Sequence, residues 1–125
     1  MTENQIAKEI VESSLKIHRT LGPGLLESVY ESCLQFELIA KGMTVVKQHP
    51  LPVVYQGIRF EQGFRLDLLV QNKVVVEVKS VEELNPVHMA QVLTYLKLGD
   101  YKLGLLINFN VELIKHGIRR LVNGL

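Results

Sequence analysis

The sequence predicts an α+β fold in which helices pack on a mixed β-sheet. Apolar residues recur at helical spacing up to Ala40, and β-branched runs with strand alternation fill the stretch from Met43 to Lys79. An Asn-Pro helix start at Asn85-Pro86 is then followed by one more apolar run. Helices and strands grouped in this order are the pattern of an α+β domain. A chain of 125 residues, 47% hydrophobic and 22% charged, is expected to form a single domain over residues 1–125 with a core that needs no staples.

The elements follow in chain order. Thr2 and Gln5 have the spacing of a capping box, and Ile6, Ile10, Ile17 and Leu21 continue the helical period, so a helix is predicted over 3–20. Gly22-Pro23-Gly24 stops it. A second helix is predicted from Leu25 to Ala40, burying Leu26, Val29, Tyr30, Cys33, Leu34 and Leu38, with Gly42 as its stop. Glu31 is expected to face solvent. Thr44–Val46, Leu51–Tyr55 and Ile58–Phe60 read as short strands, with Pro52 at an edge and Gln56-Gly57 in a turn. Phe64–Val70 and Val74–Lys79 are the strongest strands. Asn85 caps a helix that begins with Pro86 and reaches Leu98. Lys102–Ile107 is the last clear strand, and Val111–Leu121 is predicted to be a short helix carrying Lys115, Arg119 and Arg120.

Asp67, Glu77 and Lys79 interrupt the two strongest strands. Charges are seldom buried without partners, so acid on two neighbouring apolar strands points to a bound cation, and hard divalent cations take carboxylate oxygens. Glu77 and Lys79 share a strand face about 7 Å apart. Whether Asp67 joins them depends on the hairpin. A two-residue turn at Gln71-Asn72 would place Asp67 and Glu77 on opposite faces. A three-residue loop, Gln71-Asn72-Lys73, or a β-bulge would bring them into phase. A shared metal requires one of the latter two. Mg²⁺ or Mn²⁺ held by the two acids would activate water and neutralise phosphate charge, with Lys79 orienting the water or stabilising the transition state. On the third helix Gln91 and Tyr95 are four apart, and His88 lies one turn earlier on the same face.

Asp67 followed by Glu77-Val78-Lys79 resembles the D…(D/E)xK signature of the PD-(D/E)XK nuclease superfamily. Gly24-Leu25-Leu26-Glu27-Ser28-Val29-Tyr30 resembles the G-x-x-E-x-x-Y segment that names the GxxExxY protein family. The resemblance extends from His18 to Asn123. It implies a restriction-endonuclease-like αβββαβ core, a mixed sheet flanked by helices, and a metal-dependent nuclease activity on phosphodiester bonds. It also implies that Glu27 completes the metal site with Asp67 and Glu77. Gln91-Val92-Leu93-Thr94-Tyr95 resembles the Q-x-x-x-Y motif of RecB-like branches, which implies that Gln91 serves the active site. Tyr95, His88 and Tyr30 are candidate substrate-binding residues. Apart from the resemblance, a helix dipole explains Glu27, and a polar stripe explains Gln91.

Other chemistries find little support. Cys33 is the single cysteine, so neither an internal disulfide nor a zinc-site spacing is available. Gly22-Pro23-Gly24 follows a helix and precedes no G-K-[ST], which removes the phosphate-loop reading. A net charge of +1 gives no global field toward polyanions, so Arg59, Arg65, Lys73, Lys97, Lys102, Lys115, Arg119 and Arg120 would have to supply a local basic groove. No apolar run reaches membrane-spanning length and the first residues lack signal-peptide character, so a cytoplasmic location is expected. The expected partner is nucleic acid, DNA ahead of RNA, with a homodimer compatible with cutting two strands. Two other readings compete: a catalytically silent nuclease-fold module for binding nucleic acid or protein, and a structural domain whose charges form a surface ion network.

Overall fold

The computed structural model describes residues 1–125. Helix α1 spans Glu3–Leu21 and opens on the expected capping box: Thr2 Oγ1 accepts from the Gln5 amide (3.2 Å), and Gln5 Oε1 accepts from the Thr2 amide (2.9 Å). Gly22, at φ 71°, ends it. Helix α2 spans Glu27–Ala40, two residues shorter than expected at its start. Its buried stripe is Tyr30, Glu31, Leu34 and Leu38. Leu26 and Val29 are exposed and Cys33 is half-buried, so the apolar face is narrower than the periodicity suggested. Leu26 precedes the first helical turn and has no neighbouring layer to enter.

Five strands follow in the spatial order β1-β2-β3-β4-β5. The short runs predicted separately merge into two long strands, β1 at Val45–Tyr55 and β2 at Ile58–Val70, joined at Gln56-Gly57 with both residues at positive φ. Pro52 does not break β1, because β1 is an edge strand and its register to β2 shifts between Leu51 and Val53. Gly63 lies opposite this irregularity, where a Cβ would collide with the Leu51 carbonyl. Strand β3 is Val74–Lys79. Helix α3, Pro86–Gly99, crosses over to β4, Leu103–Asn108, which runs parallel to β3.

The chain's last segment departs from the sequence reading. Only a 3₁₀ turn at Ile114–Gly117 is helical, and Ile118–Val122 forms β5, antiparallel to β4. Strand β4 is buried along its whole length. Without a neighbour its outer edge would leave buried N–H and C=O groups unpaired. Pairing Ile107 with Ile118 and Leu103 with Val122 satisfies that edge, and this outweighs the local helical spacing.

The sheet divides two cores. Helices α1 and α2 cover one face, where Ile6, Ile10, Tyr30 and Leu34 meet Leu68, Val76, Val78 and Ile107. Helix α3 covers the other, where Val92 and Leu96 meet Leu66, Leu69, Val75 and Leu106. Glu77 follows Val75 on the α3 face of β3. No helix is long and apolar enough to cross a membrane.

Helix α3 is held at its start as the sequence predicts. Asn85 Oδ1 accepts from the amides of Val87 (3.0 Å) and His88 (3.2 Å), and His88 Nδ1 accepts from the Asn85 amide (3.2 Å). Asn85→Ala should cost about 1 kcal/mol of stability. A thermal melt checks this, and an unchanged midpoint would mean that the cap contributes nothing.

Candidate active site

The loop between β2 and β3 decides the site. Val70 pairs with Val74, Leu69 with Val75 and Leu68 with Val76, so the loop is the three-residue Gln71-Asn72-Lys73. Gln71 and Asn72 both take φ 54°, and the Lys73 amide donates to Val70 O at 3.0 Å. This register puts Asp67 opposite Glu77. The backbone ladder stops one pair short of them, and side chains take over. Glu77 Oε1 accepts from the Asp67 amide (3.1 Å), and Asp67 Oδ2 accepts from the Val78 amide (2.8 Å). Two carboxylates thus stand in the seam where β2 and β3 part.

The β1 side of the seam is also irregular. Lys47 pairs with Leu68 and His49 with Leu66, but Gln48 between them takes φ 55°. Its Nε2 donates to Glu31 Oε1 (2.7 Å) and to Asp67 Oδ1 (3.4 Å). Glu31 is therefore not on the solvent side of α2. It is 6% exposed and faces the acid pair through Gln48. The helical stripe that carries Leu34 and Leu38 inward carries Glu31 with it.

Acidic groups gather here, and none of Glu31, Asp67 and Glu77 closes an ion pair. Burial, and then the Asp67 carboxylate, push the Glu77 carboxyl up to about 8. Burial also raises Glu31, and Asp67 and Glu27 add to the shift. Tyr95 is raised by burial and by both Glu77 and Asp67. Lys79, two residues beyond Glu77, favours ionised Glu77 but forms no ion pair; the protein's ion pairs lie elsewhere, at Lys16–Glu37, Lys41–Glu9, Lys41–Glu12 and Arg59–Glu61.

A family model of the PD-(D/E)XK nuclease superfamily matches residues 4–121. The chain belongs to the PD-(D/E)XK nuclease superfamily. Neither the curated proteins nor the solved structures give a match. The α+β architecture, with its mixed five-stranded sheet, is consistent with the restriction-endonuclease-like core of this superfamily.

PD-(D/E)XK nucleases generally use divalent metals, and the donor chemistry of this member fits one. The backbone bonds engage Asp67 Oδ2 and Glu77 Oε1, which leaves Asp67 Oδ1 and Glu77 Oε2 outside them. Burial and the neighbouring Asp67 disfavour the ionised form of Glu77, and a bound cation would relieve that cost. Magnesium keeps several waters and takes one or two carboxylates, so a pair of acids is a sufficient protein share. No three His, Cys, Asp or Glu side chains converge on one metal position, so the three-carboxylate shell expected from the sequence is not assembled. Glu27 instead accepts from the Ser80 amide at 3.2 Å, while Ser80 Oγ donates to Leu25 O at 2.7 Å. The start of α2 is thereby fastened to the end of β3, just past Lys79.

The other candidates separate. Tyr95 is half-buried beside the pair and stacks on Phe64, ring centroids 4.0 Å apart. Gln91, one turn earlier, is exposed. His88 is occupied by the α3 cap. Tyr30 is fully buried against Phe109 at 4.3 Å; its hydroxyl donates to Gly22 O (2.6 Å) and accepts from the Leu25 amide (3.2 Å). That burial removes Tyr30 from direct substrate contact and makes it the lock of the Gly-Pro-Gly loop. Of the basic residues, Arg59 pairs with Glu61 and Lys73 Nζ reaches Met1 O at 2.7 Å, so neither adds to a groove at the acids.

Sequence reasoning passed over Gln48 and Asn108, and it assigned Glu31 to solvent where the structure buries it. Glu31 carried a signal, the helical stripe it shares with Glu27, Leu34 and Leu38. Gln48 had none beyond its place between two strand runs. Asn108, 2% exposed at the end of β4, accepts from the Val81 and Asn110 amides (3.1 and 3.2 Å) and donates to Val81 O (2.9 Å). It braces the segment that follows Lys79.

Proposed function

We propose that this chain is a metal-dependent nuclease of the GxxExxY branch, hydrolysing phosphodiester bonds of nucleic acid, with DNA ahead of RNA as substrate. The observation that carries the proposal is the exchange between Asp67 and Glu77. Each carboxylate fills the other strand's broken ladder, and Lys79 follows on the same face as Glu77. Asp67 and Glu77 would hold Mg²⁺ or Mn²⁺. The cation supplies Lewis-acid chemistry, neutralising phosphate charge and making water a better nucleophile.

The chain's own residues do the rest. The backbone amides of Asp67 and Val78 fix the carboxylate positions. The Lys79 ammonium, in no ion pair, is available to a phosphate oxygen or to the attacking water. Glu27 sets the end of β3 through Ser80 and so places Lys79. Gln91 and Tyr95 line the α3 side, where Gln91 can meet substrate from the surface and Tyr95 packs next to the acids; His88 lies at the head of the same helix. The G-x-x-E-x-x-Y segment has a physical reading in these terms: Tyr30 locks the loop before α2 and Glu27 reaches β3. Two copies in a homodimer would supply the two centres that cutting both DNA strands requires, in a cytoplasmic setting.

The test is cleavage of single- and double-stranded DNA and RNA with Mg²⁺ or Mn²⁺. Wild type should cut at least one of these, with activity lost on chelation and in Asp67→Ala. Cleavage that persists in Asp67→Ala would overturn the assignment. The silent-module reading draws on the absence of a third converging ligand. Nucleic acid bound with no cation uptake at millimolar Mg²⁺ or Mn²⁺ in calorimetry would favour it.

A further inference from the structure

The geometry points to Gln48 as a positioning residue for the acid pair, a strut that ties Asp67 to α2 through Glu31. The inference rests on the proposed metal-dependent reading of the site. Three observations carry it.

The first is backbone conformation. Gln48 sits within β1 at φ 55°, a region that side-chain-bearing residues seldom enter. Its neighbours Lys47 and His49 keep regular pairs with Leu68 and Leu66, so the departure is confined to the residue facing Asp67. Strain of this kind persists only where the surroundings impose it, and it gathers at functional sites. Arg65 contributes: its Nη1 donates to Gln48 O at 3.2 Å, on the strand that also carries Asp67.

The second is the hydrogen bonding. Nε2 of Gln48 lies 2.7 Å from Glu31 Oε1 and 3.4 Å from Asp67 Oδ1. Both partners are carboxylates, so the amide nitrogen, with its two hydrogens, is the end that faces them. A neutral donor can hold two acids in place without cancelling the charge a cation needs. A lysine here would form the ion pair itself and compete with the metal.

The third is completeness. Asp67 Oδ2 is fixed by the Val78 amide, while Oδ1 has Gln48 as its protein partner. Glu31 is in turn buried on α2, whose opening residue Glu27 is bonded to Ser80. Gln48 therefore closes a frame linking β1, β2, α2 and the end of β3 around the acids. Outer partners of this kind typically change metal affinity or activity about 10–100-fold when removed.

Glycine separates this role from a structural one. Gln48→Gly suits the left-handed backbone, which offsets the lost bond to Glu31, so the metal-free protein should remain folded with a cooperative melt. It nevertheless removes the strut. Calorimetric affinity for Mn²⁺ should fall by about 10–100-fold and kcat on nucleic acid should fall with it, while KM changes little. Wild-type affinity and rate in Gln48→Gly would overturn the strut and leave the nuclease reading standing. A wild type that takes up no Mn²⁺ would remove the nuclease reading and the strut together.

Discussion

Lys79→Ala should lower kcat about 10²–10³-fold, the range seen when one donor aimed at developing charge is removed, while divalent-cation binding stays close to wild type. The separation follows from the side chain's position. Lys79 shares the strand face of Glu77, close enough to favour its ionised form, yet it pairs with no carboxylate. A lysine beside two acids ordinarily closes an ion pair, which exposed examples show to be weak. Here the acids are held by backbone amides, and the ammonium is left without an ion-pair partner. Asp67→Ala, by contrast, should lose cation binding and cleavage together. Lys79→Arg adds a diagnostic. If charge alone matters, part of the rate returns; if the ammonium must orient water, the larger planar group does not restore it. Single-turnover cleavage combined with Mn²⁺ calorimetry reads both quantities. Wild-type cleavage by Lys79→Ala would demote Lys79 to a surface residue.

The residues that the sequence placed correctly share a physical reason. Strand alternation and loop length together demanded a three-residue hairpin loop if Asp67 and Glu77 were to meet, and Val70 does pair with Val74. The Asn85-Pro86 start of α3 was legible because a cap is a local event. The features that escaped depend on distant partners. Strand β5 exists because β4 would otherwise present a buried edge, and nothing within 111–121 announces it. The helical stripe turns Glu31 inward, but the donor that satisfies it there, Gln48, lies 17 residues later. Gln48 takes a left-handed conformation that glutamine does not advertise. The three carboxylates do not converge, and the partner that Glu27 does meet, the Ser80 amide, is likewise distant in sequence. Period and caps are written locally, but the wiring of a polar site is written in contacts.

Glu77→Gln should stabilise the metal-free protein at alkaline pH, and this is the largest stability effect expected from the site. Glu77 is raised from 4.5 to about 8 by burial and by Asp67. The folded state therefore holds a proton that the unfolded chain releases, and stability falls as pH rises from about 4.5 through 8. Each pH unit of such a window is worth roughly 1.4 kcal/mol at most, so the total is a few kcal/mol. Glutamine keeps an Oε1 to accept from the Asp67 amide. Its Nε2 can donate to the Asp67 carboxylate, as a protonated Glu77 carboxyl can. The substitution therefore removes the charge and keeps the bonds. Near pH 5 the two proteins should melt within about 1 kcal/mol of each other, and at pH 9 the variant should be ahead by a few kcal/mol, roughly 5–15 °C in Tm. Mg²⁺ or Mn²⁺ should reverse the order at pH 9, because a cation stabilises the ionised pair and the variant has lost one ligand. Melting curves across pH, with and without metal, read all of this. Parallel slopes for wild type and Glu77→Gln would mean that Glu77 is not the buried acid carrying the proton.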